Sequence, residues 1–113
     1  MCTKSELQVV LKKVKTAAQQ LYGNRLSRII LYGSYARGDN TEESDIDIMI
    51  VLDCDAEEIK KLRGLTAEMA SDISLEQEVF LSVLLRDKKN FEDNLAVLPF
   101  YQNIVREGRA VYG

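Results

Sequence analysis

The sequence predicts an α/β domain of the α+β type, a small sheet with helices packed on it. Three observations carry that expectation. Short β-rich runs, each closed by small or polar residues, alternate with longer stretches whose apolar residues recur at helical spacing. One of those runs is apolar on both faces after Asp47, with Ile48, Ile50 and Leu52 against Met49 and Val51, as in a strand covered on two sides. The chain has 113 residues, 46% of them hydrophobic, which suffices for one core without disulfide or metal staples.

The elements follow in order. Thr3-Lys4-Ser5-Glu6 matches a capping box, in which hydroxyl and carboxylate satisfy each other's free backbone N–H groups. Leu7, Val10, Leu11, Val14, Ala17, Ala18 and Leu21 then form one apolar stripe, and Gly23-Asn24 supplies the stop. That stripe is a core face. Residues 28–32 form a strand ending at Gly33, followed by a small, polar loop over 33–44 with room for one helical turn at 34–37. Residues 45–52 are the second strand. Asp55 caps a second helix, with Ile59, Leu62, Leu65, Met69 and Ile73 on its inner face and Lys60, Lys61 and Arg63 outside. A third strand covers 78–85, a short polar helix 88–94, and a last helix runs from Pro99 to Gly108. The predicted order is α-β-(loop)-β-α-β-α-α. No repeat, linker or low-complexity tract interrupts it, so 1–113 reads as one domain.

Composition narrows the function. Charged residues make up 29% and the net charge is −3, with acids and bases intermixed. That gives no basic footprint for duplex DNA or an anionic membrane. No apolar run approaches the roughly 18 residues that span a bilayer, and the polar start is no signal peptide. Cys2 and Cys54 make no disulfide framework and read as unpaired thiols in a reducing cytoplasm, the expected location. There is no histidine. Ser-His-Asp chemistry, Cys-His proteases, histidine-held zinc and imidazole bases are therefore all excluded. Catalysis must rest on carboxylates, hydroxyls, amines or an oxygen-held metal.

Two stretches carry such chemistry. In a strand, residues two apart share a face, so Asp45 and Asp47 project two carboxylates side by side. Hard anions so paired suit a divalent cation, most naturally magnesium, which keeps water and phosphate oxygens as further ligands. Two such ions would activate an attacking oxygen and neutralise a leaving group. The bland reading is two exposed acids at a strand end; against it, Asp47 adjoins an apolar run and a carboxylate there needs a partner. The other stretch is Gly33-Ser34-Tyr35-Ala36-Arg37-Gly38, a strand ending in Gly-Ser and turning into helix. Such a turn offers backbone N–H groups and a hydroxyl to a phosphate, and Gly33 admits close approach. Arg37 either completes the cradle or makes a salt bridge to Asp39 or Asp47. Alone, this stretch is an ordinary glycine-rich turn.

Together, Gly33-Ser34-x-Ala36-Arg37-Gly38 and Ser44-Asp45-Ile46-Asp47 resemble the signature of the polymerase-β-like nucleotidyltransferase superfamily. The likeness is greatest to its small single-domain members, the minimal nucleotidyltransferase (MNT) group, and covers nearly the whole chain. It implies a palm-like fold, a mixed sheet with helices packed on it. It also implies that Gly33 and Ser34 hold nucleotide phosphates and that Asp45 and Asp47 bind two magnesium ions. The implied reaction moves a nucleoside monophosphate, usually AMP from ATP, to a hydroxyl of a protein or small molecule, releasing pyrophosphate. Many small members act as antitoxin of an all-helical HEPN partner, adenylylating a tyrosine on it.

The family pattern also has a third carboxylate on a neighbouring strand, as general base and metal ligand. Here the third strand holds no aspartate, and Glu78, sharing a face with Phe80 and Ser82, is the nearest candidate, Glu76 the next. Two functions stay open. One is a magnesium-dependent nucleotidyltransferase; the other is a catalytically weak nucleotide-fold antitoxin that neutralises a helical partner by contact. A homo-oligomer is also left open.

Overall fold

The computed structural model describes residues 3–113, so Cys2 lies outside the described residues. The chain forms α1 (Lys4–Tyr22), a 3-10 turn (Gly23–Arg25), β1 (Leu26–Tyr32), α2 (Ser34–Arg37), β2 (Ile46–Leu52), α3 (Ala56–Gln77), β3 (Leu81–Asp87), α4 (Lys88–Asn94), α5 (Pro99–Glu107) and β4 (Arg109–Tyr112). The fold is α+β, five helices on a mixed four-stranded sheet. Strand order is β3-β2-β1-β4; β1 is antiparallel to β2 and β4, while β2 and β3 run parallel through the α3 crossover.

Alternation along the strands splits the core into two layers. Ile29, Leu31, Ile46, Ile48, Ile50, Leu52 and Leu85 face α1 and α3, meeting Val10, Val14, Ile59 and Met69. Ile30, Met49 and Val51 face the other way, onto Phe91 of α4 and Tyr101 and Ile104 of α5. β2 is hydrogen-bonded on both sides and covered on both faces, which explains its unbroken apolar run.

The capping box at Thr3 and Glu6 is present, and Asp55 caps α3 by accepting from the Glu58 N–H at 2.9 Å. Four expectations need correcting. β1 begins at Leu26, not 28, since the 3-10 turn feeds it directly. Leu65 is 48% exposed and does not join the α3 core face, where Thr66 is buried instead. Thr66 is satisfied there, donating to the Leu62 carbonyl at 2.9 Å and meeting the Tyr22 hydroxyl at 2.5 Å. The third strand starts at Leu81 because α3 runs on to Gln77 and ends through Glu78 in the left-handed region, φ 53°. A fourth strand, β4, was not expected at all. No described helix is long and apolar enough to cross a membrane, and Cys54 is a free, half-buried thiol.

Candidate active site

The site is built where β1 ends and β2 begins. Gly33 turns the chain at φ 73° and ψ −155°, conformations open to glycine, and its carbonyl accepts from the Ala36 and Arg37 N–H groups at 3.1 Å each. α2 lasts one turn and closes on Gly38 at φ 84°. The chain returns through a second turn, in which Thr41 N–H donates to the Ser44 hydroxyl at 2.8 Å. Asp45 stands exposed just before β2; Asp47 is its half-buried second residue.

Gly33 and Asp47 are packed against each other. A Cβ added at Gly33 would fall on Oδ2 of Asp47 and lie 3.3 Å from its Cγ. Only glycine lets the turn seat against this carboxylate. Burial pushes the Asp47 carboxyl above the usual range, the neighbouring Asp45 carboxylate pushes the same way, and Arg37 opposes both. Arg37 is also held by Asp39 at 3.1 Å and by Glu107, from the end of α5, at 3.4 Å. The structural salt bridge expected for it therefore runs to Asp39, with Glu107 as a second partner.

Strand register adds two neighbours. Tyr32 of β1 and Ser82 of β3 are the direct partners of Asp47, forming one row on the α4–α5 face of the sheet. The Tyr32 hydroxyl is pushed up to about 12, first by burial and then by the Asp47 charge, with Arg86 opposing.

Of the residues singled out in the sequence, Gly33, Ser34, Arg37, Asp45 and Asp47 thus come together. Glu78 does not sit where expected. It is the exposed cap of α3, outside β3, and does not share a strand face with Ser82. Its backbone closes the helix: the Glu78 and Val79 N–H groups both donate to the Ser74 carbonyl, Val79 at 3.1 Å, and the Ser74 hydroxyl accepts from Leu81 N–H at 3.2 Å. Tyr32, Ser82 and Glu107 were missed. Tyr32 carried a usable signal, directly preceding Gly33, whereas Ser82 and Glu107 depend on strand register and tertiary placement.

The donor set fits magnesium. Two coupled carboxylates beside a glycine turn match a cation that takes one or two protein carboxylates and completes its shell with water and phosphate. Among the described residues no group of three or more His, Cys, Asp or Glu side chains could hold a metal.

Comparison with known proteins bears on this arrangement. The family model described as a nucleotidyltransferase domain matches residues 11–111. A protein of Methanocaldococcus jannaschii named "Putative protein adenylyltransferase" is 34% identical over 102 residues, covering 90% of this chain and 94% of its own. A second of that name and organism is 32% identical, covering 74% and 82%. Among solved structures, the toxin–antitoxin MntA-HpeT aligns with a TM-score of 0.57 at 21% identity, over 91% of this chain and 73% of that one. A toxin–antitoxin crystallised with AMP-PNP aligns with a TM-score of 0.56 at 22% identity and the same coverage. These two share the fold.

Proposed function

We propose, from the premise that the chain belongs to the nucleotidyltransferase domain family, that it transfers a nucleoside monophosphate, AMP from ATP, to a hydroxyl of a helical, HEPN-type partner protein. One observation carries this reading: Gly33 of the Gly-Ser turn packs directly on Asp47, whose carboxyl is coupled to Asp45. A phosphate cradle and a cation site are thereby one site. The protein-adenylyltransferase names of the relatives support the donor and acceptor class. The toxin–antitoxin neighbours support a protein partner.

In this reading Asp45 and Asp47 hold magnesium, which supplies charge neutralisation on the phosphates and a template for the attacking oxygen. The Ser34 hydroxyl and backbone N–H donate to phosphate oxygens, and Gly33 lets the triphosphate approach. Arg37, whose charge acts on the same carboxylate, offsets charge developing as the bond between the α-phosphorus and the bridging oxygen breaks. The acceptor oxygen forms the new bond to the α-phosphorus and pyrophosphate leaves. With no histidine in the chain, the acceptor proton goes to a carboxylate, here Asp47 or Asp45, or to one brought by the partner.

A second reading is favoured by one observation: β3 presents Ser82, not an acid, beside Asp47. On that reading the domain binds nucleotide and partner, and neutralises by contact with little transfer. The test is co-expression with the cognate helical protein followed by intact-mass spectrometry. An added adenylyl group that disappears with Asp47→Asn supports transfer; a tight complex with no added mass supports contact alone.

A further inference from the structure

Phe100 is an aromatic side chain the core does not use. The layer beneath α5 is filled by Phe91, Tyr101 and Ile104, while Phe100, on the same helix, is 46% exposed. Its inner edge is fixed. The Tyr32 and Phe100 rings meet edge-to-face with centroids 5.8 Å apart and planes at 87°. Phe100 also leans on Tyr101 at 6.0 Å. Tyr101 is itself tied down, its hydroxyl accepting from Arg86 at 3.1 Å and donating to Asn90 at 3.0 Å. The exposed face of Phe100 is therefore held in place by packing behind it.

That face borders the carboxylates. Tyr32 is the direct cross-strand partner of Asp47 on the sheet face that α5 covers, so an apolar surface begins one ring away from the acid pair. Leu98, just before α5, is 42% exposed. An exposed aromatic adjoining a site for phosphates and a cation suits a ligand that is charged at one end and flat and apolar-faced at the other. A nucleoside triphosphate has that form.

Resting on the proposed nucleotide site, we infer that Phe100, buttressed by Tyr32, is the nucleobase platform: the base stacks on its exposed ring while the phosphates lie over Gly33, Ser34 and the two aspartates. Stacking of this kind tolerates any base, so the platform contributes affinity more than base identity.

The experiment is calorimetry with magnesium–ATP and with magnesium–tripolyphosphate, which carries the phosphates but no base. Wild type, Phe100→Ala, Phe100→Trp and Asp47→Asn are compared. The expected result is that Phe100→Ala binds ATP about tenfold more weakly, binds tripolyphosphate as wild type does, and that Phe100→Trp retains ATP binding. Equal weakening of both ligands by Phe100→Ala would make Phe100 a structural residue and overturn the inference. So would unchanged ATP affinity, including the case where only transfer to a partner suffers. Wild type binding tripolyphosphate, in an Asp47-dependent way, as tightly as ATP overturns the platform and leaves the phosphate site standing. Wild type binding neither ligand overturns both.

Discussion

Ser82 stands directly across the parallel β2–β3 pair from Asp47, so the neighbouring strand places a serine, not an acid, beside it. Ser82→Asp is expected to lower the Tm of the ligand-free protein by like-charge repulsion and to enlarge the rise in Tm on adding magnesium or manganese. Thermal melts with and without the metal check both. A variant with an unchanged metal response would mean that Ser82 does not face the cation site.

Asp47 contributes to the pH dependence of the ligand-free fold. Its carboxyl is raised by burial and by Asp45, so the native state holds that proton more tightly than the unfolded chain does. The resulting stability is present below the unfolded carboxylate range and is lost as pH rises through the native value. Asp47→Asn should therefore raise Tm by a few degrees at neutral pH, with the gap closing toward acid pH. The same variant should lose the Tm shift that magnesium–ATP produces in wild type.

Gly33 and Gly38 make a matched pair. Both have positive φ, but a Cβ at Gly33 meets Asp47, whereas one at Gly38 meets nothing within 4 Å. Gly38→Ala should show backbone strain alone, about 1–2 kcal/mol, with nucleotide affinity kept. Gly33→Ala should lose more stability and most magnesium–ATP affinity as well. Denaturant melts paired with calorimetry separate the two effects.

For Ser34 the expected outcome is a binding defect. Ser34→Ala should weaken magnesium–ATP by roughly tenfold, about the strength of a hydrogen bond to a charged group, with an unchanged melting curve. If stability falls and affinity does not, Ser34 serves only the turn.

Glu78 now has a conformational prediction. As a non-glycine residue at φ 53° closing α3, it occupies a position glycine takes more readily. Glu78→Gly should stabilise the protein by roughly 0.5–1 kcal/mol, and Glu78→Gln should leave adenylyl transfer intact. Loss of transfer with nucleotide affinity retained would return Glu78 to the chemistry.

Much of this was legible in the residues, and the failures share a cause. The helical stripe of α1, the caps at Thr3 and Asp55, and the two-faced run of β2 are local signals, and each formed as its pattern implies. Gly33, Ser34, Asp45 and Asp47 lie close in sequence, so one strand–turn–strand unit suffices to gather them. β4 is four residues long, two of them exposed, and exists because β1 has an open edge to pair with. Glu78 was misplaced because α3 ends without the glycine that usually marks a helix end. Phe100, Ser82 and Glu107 enter through register and helix packing, which no local pattern records.

The two aspartates are set on parts of the chain that open on different clocks. Met49, Ile50 and Val51 are at most 1% exposed, in a strand bonded on both sides. Their amide hydrogens are expected to exchange with solvent only when the whole fold opens, and Asp47 is anchored to that element. Asp45 belongs to the exposed segment before it, pinned by the Thr41–Ser44 turn, where exchange needs only local opening.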